Sequence, residues 1–216
     1  VIPIFIDVSK NCSQQLVICE YLFYNQFMEQ MTRLSQISEY TFLEPAEETQ
    51  CAHFHDEAAG DQSKLLNTTC AIKPSRDEPI IYNAALPNGR QIPLLKTLLT
   101  SACERDCYYC PFRAGRDFHR ETFKPDEMSD LFMGLAKGGV AKGLFLSSGI
   151  AGGGMRTQDR LIDTAEILRG KRSYQGYLHL KIMPGSEKDQ VIRAMQLANR
   201  VSINLEAPNN QRLPDL

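Results

Sequence analysis

Three cysteines fall within eight residues, in Ser101-Ala-Cys103-Glu-Arg-Asp-Cys107-Tyr-Tyr-Cys110-Pro111. This C-x3-C-x2-C spacing makes a compact claw of thiols, and thiolates are the ligands that zinc and iron–sulfur clusters take. A four-iron cluster normally takes four of them, so three would leave one iron with an open coordination position. An open position is what a catalytic metal site needs, whereas a structural site is closed. The competing reading is a structural zinc site completed by His119 or by a distant cysteine, although zinc clips usually come as paired C-x2-C knuckles. Three unliganded buried thiols fit poorly here, because Glu104, Arg105 and Asp106 keep the loop wet. Cys51-Ala-His53-Phe-His55 also has ligand residue types, but its irregular surroundings favour chance spacing. Cys12, Cys19 and Cys70 have no companion at ligand spacing.

The elements around the claw repeat. Leu94–Thr100, directly before it, is a short apolar run that fits a buried strand. Pro125 to Lys137 reads as a helix, with proline early and Asp126 and Glu127 in its first turn. Gly143–Ser148 reads as a strand, and Gln158–Arg169 as an amphipathic helix with Leu161, Ile162, Ala165 and Leu168 on one face. Tyr177–Ile182 is a third strand, Glu187–Ala198 a third helix and Val201–Glu206 a fourth strand. This is a βαβ series, which calls for parallel strands and right-handed crossovers. An open doubly wound sheet and a (β/α) barrel both bury strands on two faces, so periodicity does not separate them. In either, chemistry belongs at the carboxyl ends of the strands. Those ends are the loop after Thr100, Ser147–Gly154, Met183–Gly185 and Asn204–Asn209.

The whole chain has 216 residues, 24 basic against 26 acidic, a net charge of −2 and 43% hydrophobic residues. That composition belongs to a soluble globular protein of one or two domains and excludes a uniformly basic nucleic-acid coat. No apolar run approaches the roughly 20 residues of a membrane span, so no membrane is expected as a partner. Val1–Ile6 meets Pro3 and Asp7 without a basic region ahead of it, which argues against a signal peptide. Seven cysteines, an odd number with three clustered, point to thiols kept reduced in a cytoplasm and not to a secreted disulfide framework.

From about Leu94 onward the chain resembles the radical S-adenosylmethionine (radical SAM) enzymes. The resemblance is carried by C-x3-C-x2-C after the first strand, with Tyr109 just before the last cysteine. Within that family, Thr100-x-x-Cys103-x-x-x-Cys107-x-Tyr109-Cys110, Gly143-Leu-Phe-Leu-Ser-Ser-Gly149 and Asn204-Leu-Glu-Ala-Pro-Asn209 resemble a subgroup assigned to DNA modification or repair. The resemblance implies an α/β fold, a partial (β/α)6 TIM-type barrel truncated after about its fourth strand. It implies a [4Fe–4S] cluster on Cys103, Cys107 and Cys110, with S-adenosylmethionine chelated to the open iron and cleaved by one electron to a 5′-deoxyadenosyl radical. An electron donor such as flavodoxin or ferredoxin is then implied as a partner. Tyr109 would pack on the adenine, with packing against the barrel rim as the alternative, and Lys181 would contact the ligand's carboxylate or else snorkel to solvent. Ser147, Ser148 and Gly149 stand where the family has a Gly-Gly-Glu-like segment for the amino group; the acidic residue is absent, so backbone carbonyls or a serine hydroxyl would serve. Asn204 and Glu206 stand where the family contacts the ribose. No residue of the sequence is assigned to catalysis on a substrate.

DNA or RNA as substrate would need a surface. Arg113, Arg116, His119 and Arg120, interleaved with Phe112 and Phe118, could track phosphates and stack a base, although Asp117 and Glu121 dilute the patch towards a plain solvated loop. A metal-stabilised nucleic-acid-binding module without catalysis is the alternative function, and an inert decayed barrel is disfavoured by the intact cysteines. Gly149, Gly152, Gly153 and Gly154 lack a following Lys-Ser or Lys-Thr, so a phosphate loop is a poor match; close backbone approach to a ligand is the better one, with a plain mobile loop as its equal alternative. Residues 1–93 read as an extension ahead of a core over 94–216. It has a weak helical signal at Glu29–Phe42 and an irregular stretch over 46–93 with four prolines and an Asn88-Gly89 turn. The chain is expected to be a fragment. Met28 or Met31 would be its true start, and residues 1–27 would be upstream sequence with little role in the fold.

Overall fold

The computed structural model describes residues 12–41, 81–85 and 89–204. Its elements are α1 (Cys12–Thr41), β1 (Ile81–Ala85), β2 (Gln91–Leu98), α2 (Pro125–Lys137) and β3 (Gly143–Ser147), then α3 (Gly154–Glu166), β4 (Tyr177–Lys181), α4 (Lys188–Leu197) and β5 (Arg200–Ser202). A π-helical turn, Ile167–Lys171, continues α3. The strands form one sheet in the order β1-β2-β3-β4-β5. β1 pairs antiparallel with β2, and β2 through β5 are parallel. The chain is therefore a mixed α/β protein. Among the described residues no helix is long and apolar enough to cross a membrane.

Strand alternation sorts the sheet into two faces. Leu95, Leu144 and Leu178 are register partners, and they share the main core with Leu131 of α2 and Leu161 of α3, all fully buried. Burying one such leucine contributes about 2 kcal/mol. Leu34 and Ile37 of α1 belong to the same core, and the half-buried Phe27 packs against it. The opposite face carries Lys96, Phe145 and His179 in register, with the Phe145 and His179 rings stacked 4.4 Å apart. Leu98, Ser147 and Lys181 follow at the same parity, two residues closer to the carboxyl ends.

Local signals account for the helix starts. At α2 the Lys124 backbone N–H donates to the Glu127 carboxylate at 2.8 Å, and at α4 the Glu187 N–H donates to Gln190 Oε1 at 2.9 Å. α2 has the bounds that its proline and acidic first turn predict. α3 begins at Gly154, earlier than the expected Gln158, because Gly152 and Gly153 turn the chain at φ +79° and +92° and Thr157 Oγ donates back to the Gly153 carbonyl at 2.8 Å. At its far end Arg169 donates to the carbonyls of Leu197, Tyr174 and Gly176 and to Asn199 Oδ1.

The irregular reading of 46–93 needs correction where residues are described. Ile81–Ala85 is a strand, and β2 starts at Gln91 and not at Leu94. Pro93 is tolerated because pairing with β3 begins one residue later, at Leu94↔Gly143. β3 closes at Ser147, one residue before the expected Ser148, and β5 is shorter than expected, ending at Ser202. Cys51, His53, His55, Cys70 and Glu206 lie outside the described residues, as do residues 1–11 of the expected upstream segment.

Candidate functional site

At the carboxyl ends of β2, β3 and β4 lies a cavity of about 360 Å³. Cys103, Cys107, Cys110 and Tyr109 line it from the loop after β2, Ser147, Ser148 and Gly149 from the end of β3, Lys181 from the end of β4 and Asn204 from beyond β5. Every expected site residue that is described thus meets at one place. Lys181 is only 7% exposed, so it does not reach out to solvent. Tyr109 is 59% exposed. Ser148 Oγ donates to the Gly149 carbonyl at 2.7 Å, so its proton is already used. Leu98, Arg105, Phe112, Ile150, Ile182, Met183 and Pro184 complete the wall; Ile150, Met183 and Pro184 fall in the strand-end segments marked by the sequence, but no spacing gave any of the seven a role in the site.

The cysteine loop is built from backbone contacts. The Glu104 N–H donates to the Ile150 carbonyl and the Gly149 N–H to the Thr100 carbonyl, joining it to the loop after β3. The Glu104 carboxylate accepts from the N–H groups of Gly152 and Gly153 at 3.1 and 3.3 Å, at the positive end of α3. Cys103 Sγ accepts from the Arg105 and Ile150 N–H groups at 3.4 and 3.5 Å, and Cys110 Sγ from Phe112 N–H at 3.4 Å.

Two expectations change. Two of the glycines pack against backbone: a Cβ at Gly149, which also lines the cavity, would sit 2.3 Å from the Ala102 carbonyl oxygen, and one at Gly154 would sit 1.9 Å from that of Pro184, whereas Gly152 and Gly153 have no backbone so close. The basic and aromatic patch is also dismantled. Phe112 is buried, His119 Nε2 lies 2.6 Å from Glu121 Oε1, and the Arg120 guanidinium is spent on carbonyls of its own loop. What remains at the rim is Tyr108, 78% exposed, with the Arg113 guanidinium 5.3 Å from its ring centre, and the exposed Arg105 and Arg116.

Glu121 ties this region to α1. Arg33 Nε donates to its carboxylate at 2.9 Å, Arg33 Nη2 donates to the Thr122 carbonyl, and the guanidinium stacks 4.4 Å over the Phe123 ring. Burial is the largest single influence on the Glu121 carboxyl and raises its pKa, but the hydrogen bonds and charges of Arg33 and His119 outweigh it and hold the pKa below the ordinary value. A depressed carboxyl contributes stability above its unfolded pKa and loses it as pH falls through the folded value. Arg33→Met is therefore expected to cost about 1 kcal/mol at neutral pH. The gap to wild type should close as pH falls below 4.5, the carboxyl's ordinary value, in urea titrations over a pH series. A gap that stays constant to the acid end would assign the loss to packing on Phe123 and not to the ion pair.

Cys103, Cys107 and Cys110 are half-buried and in no disulfide. Among the described residues no three His, Cys, Asp or Glu side chains are drawn tightly enough together to hold a metal ion. The donors nonetheless fit a thiolate-held cluster in kind. Three thiols share one cavity wall, and the N–H groups aimed at two of the sulfurs are a recognised means of orienting and tuning cluster ligands. Comparison with family models, with curated proteins and with solved structures returned no match to this chain.

Proposed function

We propose that the chain is the core of a radical SAM enzyme, with its sheet forming part of a (β/α)6 barrel. One observation carries the reading. The nine described residues that the resemblance assigns to cluster and cofactor, Cys103 to Asn204, line a single cavity at the carboxyl ends of parallel strands. Cys103, Cys107 and Cys110 would hold a [4Fe–4S] cluster, which when bound supplies the electron for reductive cleavage of S-adenosylmethionine.

The chain's own groups then have defined work. The Lys181 ammonium, held inside the cavity wall, offers a charge partner for the methionine carboxylate. Tyr109 gives the adenine an aromatic face. Asn204 can both donate to and accept from ribose hydroxyls. The close contact between Gly149 and Ala102 joins the loops after β2 and β3 beside the cavity. An electron donor such as flavodoxin or ferredoxin and a reducing cytoplasm belong to this proposal. A nucleic-acid substrate would meet Tyr108, Arg113 and Arg105 at the rim, and a base in a duplex would have to flip out to enter.

Anaerobic reconstitution with iron and sulfide is expected to yield about four irons per chain. S-adenosylmethionine should then perturb the cluster's electron paramagnetic resonance signal. Asn204→Ala should leave cluster absorption intact and weaken that perturbation roughly tenfold, the loss of one or two hydrogen bonds. One tightly held zinc and no cluster would sink the proposal in favour of a metal-stabilised nucleic-acid-binding module.

A further inference from the structure

Arg120 makes four hydrogen bonds to main-chain carbonyls that flank the cysteines on both sides. Its Nη1 donates to Ser101 O at 2.8 Å and Phe112 O at 3.0 Å; its Nη2 donates to Arg113 O at 2.8 Å and Arg116 O at 3.1 Å. Ser101 precedes Cys103, and the other three follow Cys110. One planar group thus closes a 101–116 ring on which all three thiols hang.

The ring has a direct path to a sulfur. Phe112 is 2% exposed, its carbonyl accepts from Arg120, and its own N–H donates to Cys110 Sγ at 3.4 Å. The Phe118 ring lies 4.2 Å under the Arg120 guanidinium and meets Phe112 edge-on at 5.9 Å, so one face of the clasp rests on an aromatic pair. Outside the clasp the loop is fastened again, by Ser101 Oγ accepting from Glu121 N–H at 2.8 Å and by the Thr100↔Thr122 bridge. A lysine cannot reproduce the pattern, because an ammonium lacks the planar fork that reaches several acceptors at fixed angles.

We infer that Arg120 is the positioning residue of the cysteine loop: its guanidinium pre-organises Cys103, Cys107 and Cys110 to take up metal. This rests on the proposed cluster reading only in that the thiols bind metal; it does not require radical chemistry. The loop's sixteen residues from Ser101 to Arg116 contain no helix or strand. Without a clasp the thiols would have to be ordered at the moment of binding, and affinity would fall by that ordering entropy.

The test uses the full chain, anaerobic and reduced, with Co2+ as probe and the thiolate-to-cobalt charge-transfer band as readout. Arg120→Ala is expected to weaken Co2+ binding roughly tenfold or more, the usual effect of removing an outer partner of a metal ligand. Arg120→Lys should recover little of it. Methylguanidinium added to Arg120→Ala should restore most of the affinity, a response that general loss of structure would not give. Wild-type affinity in Arg120→Ala would overturn the inference. Collapse of near-ultraviolet circular dichroism in both variants, without rescue, would overturn it too, making Arg120 a support of the whole fold. If the wild type binds Co2+ but assembles no iron–sulfur cluster, the enzyme proposal fails while Arg120's role stands. If the wild type binds neither, both fail.

Discussion

On the proposed cluster reading, replacing Cys103, Cys107 or Cys110 singly with alanine should abolish iron–sulfur assembly while leaving the fold in place. Each thiol is half-buried on the cavity wall, Cys103 and Cys110 at the edge of the core, in a loop whose shape is held mainly by backbone contacts and by Arg120. Loss of a thiol therefore removes a ligand without opening the core, and the stability change should stay within about 1 kcal/mol. The effect on the cluster should be near-complete, since two thiolates cannot hold four irons in place of the three or four such clusters use. Cys51→Ala and Cys70→Ala serve as controls and should keep wild-type iron content. Iron and sulfide analysis beside thermal melts separates the two effects. A variant at Cys107 that still assembled a full cluster would remove that residue from the ligand set and break the C-x3-C-x2-C assignment.

A second large effect is expected from a single methyl group at a glycine. Gly154→Ala would press its Cβ to 1.9 Å from the Pro184 carbonyl oxygen and 2.9 Å from the Pro184 carbonyl carbon, so backbone and not a pliable side chain must move. Overpacking of this kind costs about 3 kcal/mol or more, which for a chain of this size lowers the melting temperature by about 10 °C. Gly149→Ala meets the Ala102 carbonyl oxygen at 2.3 Å and Cys103 Cβ at 3.2 Å. It should destabilise comparably and also reduce metal uptake, because the strand-end seam it wedges apart carries Cys103. Gly170→Ala is the matched control. A Cβ there meets nothing within 4 Å and φ is not positive, so the change should stay within about 0.5 kcal/mol. Thermal and urea unfolding of the three variants decide it. Equal stability for Gly154→Ala and Gly170→Ala would mean that the loops after β3 and β4 can part freely.

The features legible in the sequence were those with short-range causes. Proline and two acidic residues at its start gave α2 both of its bounds, and apolar runs separated by amphipathic segments gave the parallel series from β2 to β5. The rule that parallel strands work at their carboxyl ends pointed to the loops after the strands, the family resemblance named residues in and beside them, and nine of those residues line one cavity. Tertiary structure decided what those short-range signals leave open. β1 was hidden because a short edge strand beside prolines has little periodicity of its own and exists through pairing with β2. Arg120, Arg113 and His119 look alike as charges in sequence. Only the folded loop turns one inward to four carbonyls, stacks another beside Tyr108 and sets the third against Glu121. The glycines after β3 carry the same lesson. Composition says that a side chain is missing, but whether the vacated space belongs to a ligand or to the carbonyls of Ala102 and Pro184 depends on atoms about 30–50 residues away, brought there by packing that no local pattern records.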